Sequence, residues 1–356
     1  MQPDLIPWLR LALVPGIGST TLIRLLTAFG SPEAVLACGR RALEPHLTAK
    51  QRDALLAGPD AALLAETRAW LDQPGNSLLT LGDPDYPKPL LEIADPPALL
   101  YCKGRRDLLG HPGLGIVGSR NATPQGLRDA EAFALALADA GLTIISGLAL
   151  GIDAAAHRGG LAGSGSSIAV VGTGLDRIYP ARNKALAHRL AEQGLILSEF
   201  ALGTPPLPGN FPSRNRLISG LARGVLVVEA TTDSGSLITA RVATEQGREV
   251  FAIPGSIHSP LARGCHALLK QGAKLVESAA DILDELDWQQ RITPPAHLSA
   301  TLPDPVLDAM DGAPVTLDTL AQRSGLTLDA LSAKLLTLEL EGRIAPLPGG
   351  RYQKIL

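Results

Sequence analysis

The chain has 356 residues, 46% of them hydrophobic, a formal net charge of −3 and three cysteines. This length and apolar content favour two or three globular domains and exclude a largely disordered chain. The sequence has no basic amino-terminal region and no apolar run of membrane-spanning length, so we expect a cytoplasmic protein without membrane contact. The cysteines are far apart and form no CxxC pair, which predicts no disulfide framework and no metal site.

Residues 1–75 have the pattern of a small all-α domain. Apolar residues recur at helical spacing over Leu5–Leu13 and Thr20–Phe29, and Pro15-Gly-Ile-Gly18 separates the two stretches. This is the helix-hairpin-helix pattern, whose turn amides can hold a backbone phosphate. Up to Thr80 the basic and acidic residues balance at seven each, which favours a structural role.

A proline-rich connector follows, in which Ala98–Tyr101 could add an edge strand, and from Gly113 short apolar strands alternate with helices. This alternation predicts an α/β fold, a mostly parallel sheet covered on both faces, with ligands beyond the carboxyl ends of its strands. The predicted strands are Gly115–Gly118, Leu142–Ser146, Ser167–Val171, Leu195–Ser198, Val225–Glu229, Glu249–Ile253 and Lys274–Val276. The predicted helices lie near 124–140, 151–162, 181–193, 213–223, 236–246, 263–271 and 279–286.

The turn after the first of these strands has the composition of a phosphate-binding turn. Gly118 allows a sharp turn and room for a ligand, and Ser119 and Arg120 supply a hydroxyl and a guanidinium. Thr123 is a suitable N-cap and Pro124 suits the first helical position. An ordinary βα turn with a surface arginine would have the same sequence.

The segment from Gly174 to Gly224, which we call the basic segment, has seven basic residues against three acidic ones. Because several of these charges lie in Gly/Pro-rich loops beside predicted strands, the bias favours a ligand site over a merely solvated face. The basic residues are Arg177, Arg182, Lys184, Arg189, Arg214, Arg216 and Arg223.

The carboxyl-terminal part reads as a Pro-rich linker, 291–305, and a small domain, 306–356. Val306–Met310, Leu317–Ser324 and Leu328–Glu341 predict three helices, and 342–353 predict a hairpin. Three helices and a hairpin form a winged helix. Residues 303–356 have seven acids and five bases, so we expect a protein-binding or stabilising module.

Several motifs together resemble the DNA-processing protein DprA (Smf) family over about 83–286. They are Gly118-Ser-Arg120, Ser146–His157, Gly174–Pro180 with Asn183, Phe211–Arg216, Val228-Glu-Ala230, Ser234–Ala240 and Ile253-Pro-Gly255. The resemblance implies an extended Rossmann-like doubly wound domain over 76–290. It further implies a homodimer that binds single-stranded DNA in natural transformation, protects incoming strands and helps load the RecA recombinase. It implies no enzymatic activity and no cofactor.

The resemblance and the residues together give an expected DNA-binding set and an expected dimer contact. Aromatic residues are 3% of the chain, so phosphate contacts should dominate over base stacking. One departure is Asp233, where relatives commonly have a basic residue. The DNA-binding set is Gly118, Ser119, Arg120, Ser146, Gly147, Gly172, Tyr179, Arg182, Asn183, Lys184, Phe211, Arg214, Asn215, Arg216, Ser234, Gly235, Ser236 and Thr239; the dimer contact is His266, Leu268 and Leu269.

Structural roles compete with several of these assignments. Phe211 could belong to the core, and Tyr179-Pro180 could simply shape a turn. Ser234-Gly-Ser236 opens a helix, so capping is as natural as phosphate binding. Asp153 and His157, four residues apart on one helix, favour a cap and a hydrogen bond over an acid–base couple.

Two other functions compete with DNA binding by the central domain. A related group of phosphoribohydrolases cleaves nucleoside monophosphates, but it needs a Pro-Gly-Gly-x-Gly-Thr loop with a catalytic acid close behind. This chain has Thr232-Asp-Ser-Gly-Ser236 and then Glu245. A transcription regulator would need a basic recognition helix, whereas Thr327–Glu341 has three acids and one lysine.

Overall fold

The computed structural model describes residues 5–288, 304–310 and 314–355. Most of the predicted linker, residues 291–303, lies outside the described residues. Six helices precede the sheet. They are α1 (Ile6–Ala12), α2 (Ser19–Phe29), α3 (Pro32–Ala37), α4 (Arg40–Leu43), α5 (Ala49–Ala57) and α6 (Ala61–Leu71).

The amino-terminal helices share a hydrophobic core with the sheet that follows them. Trp8 of α1 and Trp70 of α6 belong to the same buried cluster as Leu78 and Tyr101. The Trp70 and Tyr101 rings meet edge to face at 5.9 Å. Removing these helices would therefore expose apolar surface of the sheet.

The predicted amino-terminal turn is tied to its own helices. Gly16 has a φ of 81°, a left-handed conformation that glycine adopts at little cost. Its carbonyl accepts a hydrogen bond from Gln51 Nε2 at 2.8 Å, and the same glutamine completes a capping box with Thr48 at the start of α5. These contacts give the turn a structural role.

Nine strands form one sheet in the order β1-β2-β6-β5-β4-β3-β7-β8-β9. Strands β3 to β9 pair in parallel, and β1 and β2 add an antiparallel extension beside β6. The predicted edge strand is thus internal. The strands are β1 (Asn76–Thr80), β2 (Leu99–Gly104), β3 (Gly113–Val117), β4 (Thr143–Ser146), β5 (Ser167–Val170), β6 (Leu195–Ser198), β7 (Ala222–Val227), β8 (Glu249–Ala252) and β9 (Lys274–Leu275).

Helices cover both faces of this sheet and bury apolar clusters against each face. Short 3₁₀ turns occupy Arg106–Gly110, Ala181–Asn183 and Pro260–Ala262. The doubly wound, mostly parallel Rossmann-like fold is confirmed. The helices are α7 (Lys88–Leu91), α8 (Pro124–Asp139), α9 (Ile152–Ala162), α10 (Lys184–Gln193), α11 (Asn210–Leu221), α12 (Gly235–Glu245), α13 (Arg263–Lys270) and α14 (Ala279–Glu285).

The sheet changes its winding direction beside β3. The chain proceeds from β3 outward through β4, β5 and β6, then returns to place β7 on the other side of β3 and continues to β8 and β9. At such a switch point the loops leaving neighbouring strands diverge, and a crevice opens at the carboxyl ends. This places a candidate site at the ends of β3 and β7.

The winged helix has the predicted three helices and hairpin, with one further short strand. It contains α15 (Pro305–Asp308), β10 (Val315–Thr316), α16 (Leu317–Ser324), α17 (Leu328–Leu340), β11 (Ile344–Leu347) and β12 (Arg351–Lys354). The strands pair in the order β10-β12-β11. Arg128 of α8 donates a hydrogen bond to the Gly342 carbonyl at 3.0 Å.

Candidate nucleic-acid interface

A groove of about 680 Å³ lies at the carboxyl ends of β3 and β7. Its walls are the turn after β3 and the amino-terminal ends of α11 and α12. The groove brings together most of the expected DNA-binding set. The members that line it are Gly118, Ser119, Arg120, Tyr179, Phe211, Arg214, Asn215, Ser234, Gly235, Ser236 and Thr239.

The turn after β3 is anchored to the end of β7 through Glu229. The Ser119 amide donates to the Glu229 carbonyl at 2.7 Å. The Glu229 carboxylate accepts from the Thr123 hydroxyl at 2.7 Å and from the Thr123 amide at 2.9 Å. Burial raises the pKa of Glu229, and these two hydrogen bonds oppose the rise. The fixed turn leaves Arg120 exposed beside the groove.

Gly118 lines the groove and also allows close packing of the backbone. A Cβ at this position would lie 2.7 Å from Ile152 Cγ1 and 2.9 Å from the Glu229 carbonyl oxygen. The glycine thus lets the end of β3 approach both α9 and the end of β7. Thr123 caps α8 through the Gly126 amide at 3.0 Å and Pro124 begins the helix, as predicted.

Two aromatic rings and one cation form an exposed platform in the groove. The Tyr179 and Phe211 ring centroids are 5.7 Å apart, and the Arg120 Cζ atom lies 5.9 Å from the Phe211 centroid. Tyr179 is 47% exposed. Phe211 is half-buried and packs over Gly172, where a Cβ would lie 3.1 Å from its ring. Phe211 is therefore a groove residue with one side against the protein.

Arg214 places a buried positive charge in the wall of the groove. Its side chain contacts the Val170 carbonyl, and its Nε atom has no hydrogen-bond partner among the described residues. Burial lowers the pKa of Arg214 to about 10, although the nearby Asp153 carboxylate opposes this change. A cation this poorly solvated gains from any anion that enters the groove.

The amino-terminal end of α12 faces the same groove. Ser234 caps the helix by accepting the Ser236 amide at 3.3 Å, and the two serine hydroxyls are 2.6 Å apart. Ser234 therefore has the capping role at the start of α12. The helix has eleven residues, so the positive end of its dipole adds to the potential of Arg120 and Arg214. Asp233, the departure from the family pattern, is exposed just before the cap.

Three of the expected DNA-binding residues instead hold the backbone that supports the groove. The Ser146 hydroxyl donates to the Ile116 carbonyl at 2.6 Å, and the Gly147 amide donates to Asp153 at 3.2 Å. The buried Asn183 donates to the Leu148 carbonyl at 2.9 Å. These polar groups are engaged inside the protein, and direct DNA contact through them stays a prediction.

Arg216 is engaged inside the protein in the same way. It donates two hydrogen bonds to the Glu199 carboxylate at 2.8 and 2.7 Å and a third to Asp95 at 2.7 Å, and its side chain is 13% exposed. Its charge is neutralised within the protein, so it does not track a DNA backbone in this arrangement. Arg182 and Lys184 are exposed at the start of α10, beyond the lining of the groove.

The two adjacent leucines of the expected dimer contact differ in exposure. Leu268 packs into the core below α13, and Leu269 is partly buried against the same cluster. His266 Nε2 lies 2.9 Å from the Gly255 carbonyl oxygen. Leu268 is therefore the inward-facing leucine, and Leu269 and His266 are left with partial exposure.

The polar pair on α9 is built into the protein. Asp153 accepts the amides of Gly147 and Ala149 at 3.2 and 3.3 Å, and His157 lies between the Leu148 amide and the Ser167 hydroxyl. Asp153 and His157 thus have the structural role rather than that of an acid–base couple. Of the described residues that line the groove, Asp153 is the single one with a carboxylate, and it is buried.

The acid required by the phosphoribohydrolase alternative is not in the groove. Glu245 ends α12, about 15 Å along the helix from Gly235. Within residues 5–288, 304–310 and 314–355, no three His, Cys, Asp or Glu side chains are grouped as metal ligands. Over the same ranges no helix is both long and apolar enough to cross a membrane.

The fold defines a Rossmann-like protein with a groove at its switch point and an appended winged helix. Residues 77–287 match the model of the DNA recombination-mediator protein A family, and residues 290–350 match that of the DprA winged helix domain. The chain belongs to the DNA recombination-mediator protein A family, the DprA or Smf family of DNA-processing proteins.

Relatives support this assignment along the chain. Protein Smf of Escherichia coli is 41% identical over 96% of this chain and 94% of its own length. DNA processing protein DprA of Streptococcus pneumoniae is 50% identical over 58% of this chain and 73% of its own. Its X-ray structure covers 80% of this chain and 99% of that one, with a TM-score of 0.71 and 39% identity.

A second solved structure is that of a relative described as binding DNA. DNA processing protein A from Helicobacter pylori covers 60% of this chain and 98% of that one, with a TM-score of 0.55 and 32% identity. That Helicobacter pylori protein is described as having a unique single-stranded DNA binding mode.

Proposed function

We propose that this chain binds single-stranded DNA in the groove at the ends of β3 and β7. The observation that carries the proposal is the convergence of Arg120, the Tyr179–Phe211 platform and the start of α12 on one crevice. Cations and helix ends bind phosphates, and aromatic faces stack on unpaired bases. The single-stranded DNA binding of the Helicobacter pylori relative supports the same ligand.

We further propose the finer role that the family resemblance implies. The protein would act in the cytoplasm during natural transformation, protect incoming strands and help load the RecA recombinase, without enzymatic activity of its own. It would act as a homodimer through the surface around His266 and Leu269. The proposed division is residues 1–75, 76–290, 291–305 and 306–356, with the second part holding the DNA.

The decisive experiment compares two arginine variants in a fluorescence-polarisation titration with a labelled oligothymidylate. Arg120→Ala removes a charge-assisted phosphate contact worth about 1.5–3 kcal/mol, so the Kd should rise about tenfold or more. Arg158→Ala is the matched control, because Arg158 lies on α9 and forms an exposed ion pair with Glu131 at 2.9 Å. An unchanged Kd for a folded Arg120→Ala protein would exclude Arg120 from the site.

Two further measurements test the ligand class and the oligomeric state. A duplex competitor of the same length should bind more weakly than the single strand, because paired bases cannot reach the Tyr179–Phe211 platform. Light scattering should show a dimer that Leu269→Glu dissociates. Preference for duplex DNA, or a monomeric wild type at micromolar concentration, would contradict the corresponding proposal.

A further inference from the structure

The last helix of the winged helix, α17, is apolar on two opposite faces. On its outer face Ala333, Leu336 and Leu340 recur at i, i+3 and i+7, and Leu336 and Leu340 are 59% and 81% exposed. At about 100° per residue these three side chains lie within about 60° of one another, and we call them the α17 stripe. The inner face packs into the small core through Leu331, Leu335 and Leu338.

The charges around the α17 stripe are acidic. Asp329 lies on the same side at the start of the helix, and Glu339 and Glu341 flank the stripe at its end, where Arg343 comes within 3.8 Å of Glu341. The one lysine of α17, Lys334, is paired with Asp304 at 2.9 Å. A recognition helix that enters a major groove presents basic and polar side chains, so this face disfavours DNA.

We propose that the α17 stripe docks an amphipathic helix of another protein, with leucine-like residues on its apolar face and lysine or arginine on its flanks. Apolar side chains at i, i+3 and i+7 present the spacing that helix pairs use for packing. Basic flanks complement Asp329, Glu339 and Glu341. A second copy of this chain is disfavoured, because two facing α17 helices would bring these acids together.

The test uses the full chain and two synthetic helical peptides that share one leucine face. One peptide carries lysines on its flanks and the other carries glutamates. The lysine peptide should bind the wild-type protein, and the glutamate peptide should bind at least about tenfold more weakly. The double substitution Leu336→Ser and Leu340→Ser should weaken binding of the lysine peptide by about tenfold or more, because two apolar contacts are lost.

Matched variants separate docking from folding and from DNA binding. Leu328→Ser is the control, since Leu328 is 52% exposed on the same helix but about 110° away from the α17 stripe. It should leave peptide affinity unchanged. Ala333→Glu is a second stripe variant that keeps helix propensity and should also abolish binding. All variants should retain wild-type affinity for single-stranded DNA, so this result is independent of the proposed groove.

Four outcomes of the peptide-binding and self-association measurements would overturn the proposal. They are no binding of the lysine peptide, equal binding of the two peptides, equal losses in the Leu328 control and the stripe variants, and self-association of the wild type that the stripe variants abolish. The last outcome would make a second copy the occupant. Duplex DNA binding that depends on Leu336 and Leu340 would equally refute a protein partner.

Discussion

Replacing His157 with glutamine should flatten the dependence of folding stability on pH. His157 is completely buried, with Nε2 accepting the Leu148 amide at 3.2 Å and Nδ1 lying 2.7 Å from Ser167 Oγ. Ser167 itself donates to the Ile144 carbonyl at 2.8 Å, so the ring donates through Nδ1 and must keep Nε2 unprotonated. Protonation of Nε2 would make it a second donor, which would face the Leu148 amide and have no acceptor.

The magnitude follows from the pKa of the ring. Burial, with a smaller contribution from the Arg214 charge, lowers the pKa of His157 from 6.5 to about 3. Below pH 6.5, His157 is therefore protonated in the unfolded chain, whereas in the folded protein it stays neutral until near pH 3. The stabilisation is complete above pH 6.5 and declines as the pH falls, by about 2 kcal/mol between pH 7 and pH 5.

The assay is urea unfolding at several pH values, followed by circular dichroism. Glutamine does not titrate, and its amide can still accept from Leu148 and donate to Ser167. Between pH 7 and pH 5 the free energy of unfolding of the wild type should thus fall by about 2 kcal/mol more than that of His157→Gln. His188→Gln, at an exposed histidine of α10, should behave as the wild type. Parallel pH profiles for the wild type and His157→Gln would refute the reasoning.

Three further substitutions test the platform, the internal ion pair and the turn. Phe211→Ala should weaken single-strand binding by about 1–3 kcal/mol in a polarisation titration, and an unchanged Kd would remove Phe211 from the interface. Arg216→Met should lower the free energy of unfolding by about 2–3 kcal/mol without changing DNA affinity, because Glu199 and Asp95 lose their partner; weaker binding by the folded variant would return Arg216 to the site. Gly118→Ala should lower the unfolding free energy by about 1–3 kcal/mol in urea denaturation through crowding against Ile152, and wild-type stability would contradict the packing role.

The elements of the sheet could be predicted because their local signals agree. The strand over Leu195–Ser198 is a short apolar run, and α8 has both a threonine cap and a proline at its start. Strand β1 was missed because its residues follow Gly75 in what reads as a connector. It becomes a strand only through antiparallel pairing with β2, and that pairing is not visible in local periodicity.

The partners of the site residues could not be predicted, because they come from distant parts of the chain. Arg216 reads as a groove cation until Asp95, 121 residues away, is placed beside it. Glu229 stands 106 residues from Thr123, so its role in fixing the phosphate turn emerges only when β7 lies next to β3. The motif Val228-Glu-Ala230 belongs to the family pattern, but composition gives no indication of what the Glu229 carboxylate binds.

The reassigned cations change the expected salt dependence of DNA binding. If all seven basic residues of the basic segment met phosphates, log K would fall with a slope of about −5 against log salt concentration for a single strand. Arg214 is buried and Arg216 is paired inside the protein. Arg223 lies over the Trp288 ring at 5.6 Å, in a cleft at the opposite edge of the sheet.

Arg177 is paired with Asp176 at 3.3 Å, and Arg189 lies further along α10. The remaining exposed cations, Arg120, Arg182 and Lys184, predict a slope of about −2 for a short oligothymidylate when each meets one phosphate. Titration of the full chain across a salt series measures this slope, and Arg120→Ala should reduce its magnitude by about 0.7. The Arg158→Ala control should leave the slope unchanged. A wild-type slope near −5 would require about seven phosphate contacts, so Arg177, Arg189, Arg214 and Arg216 would also have to meet phosphate. The ion pair with Glu199 would then have to open on DNA binding.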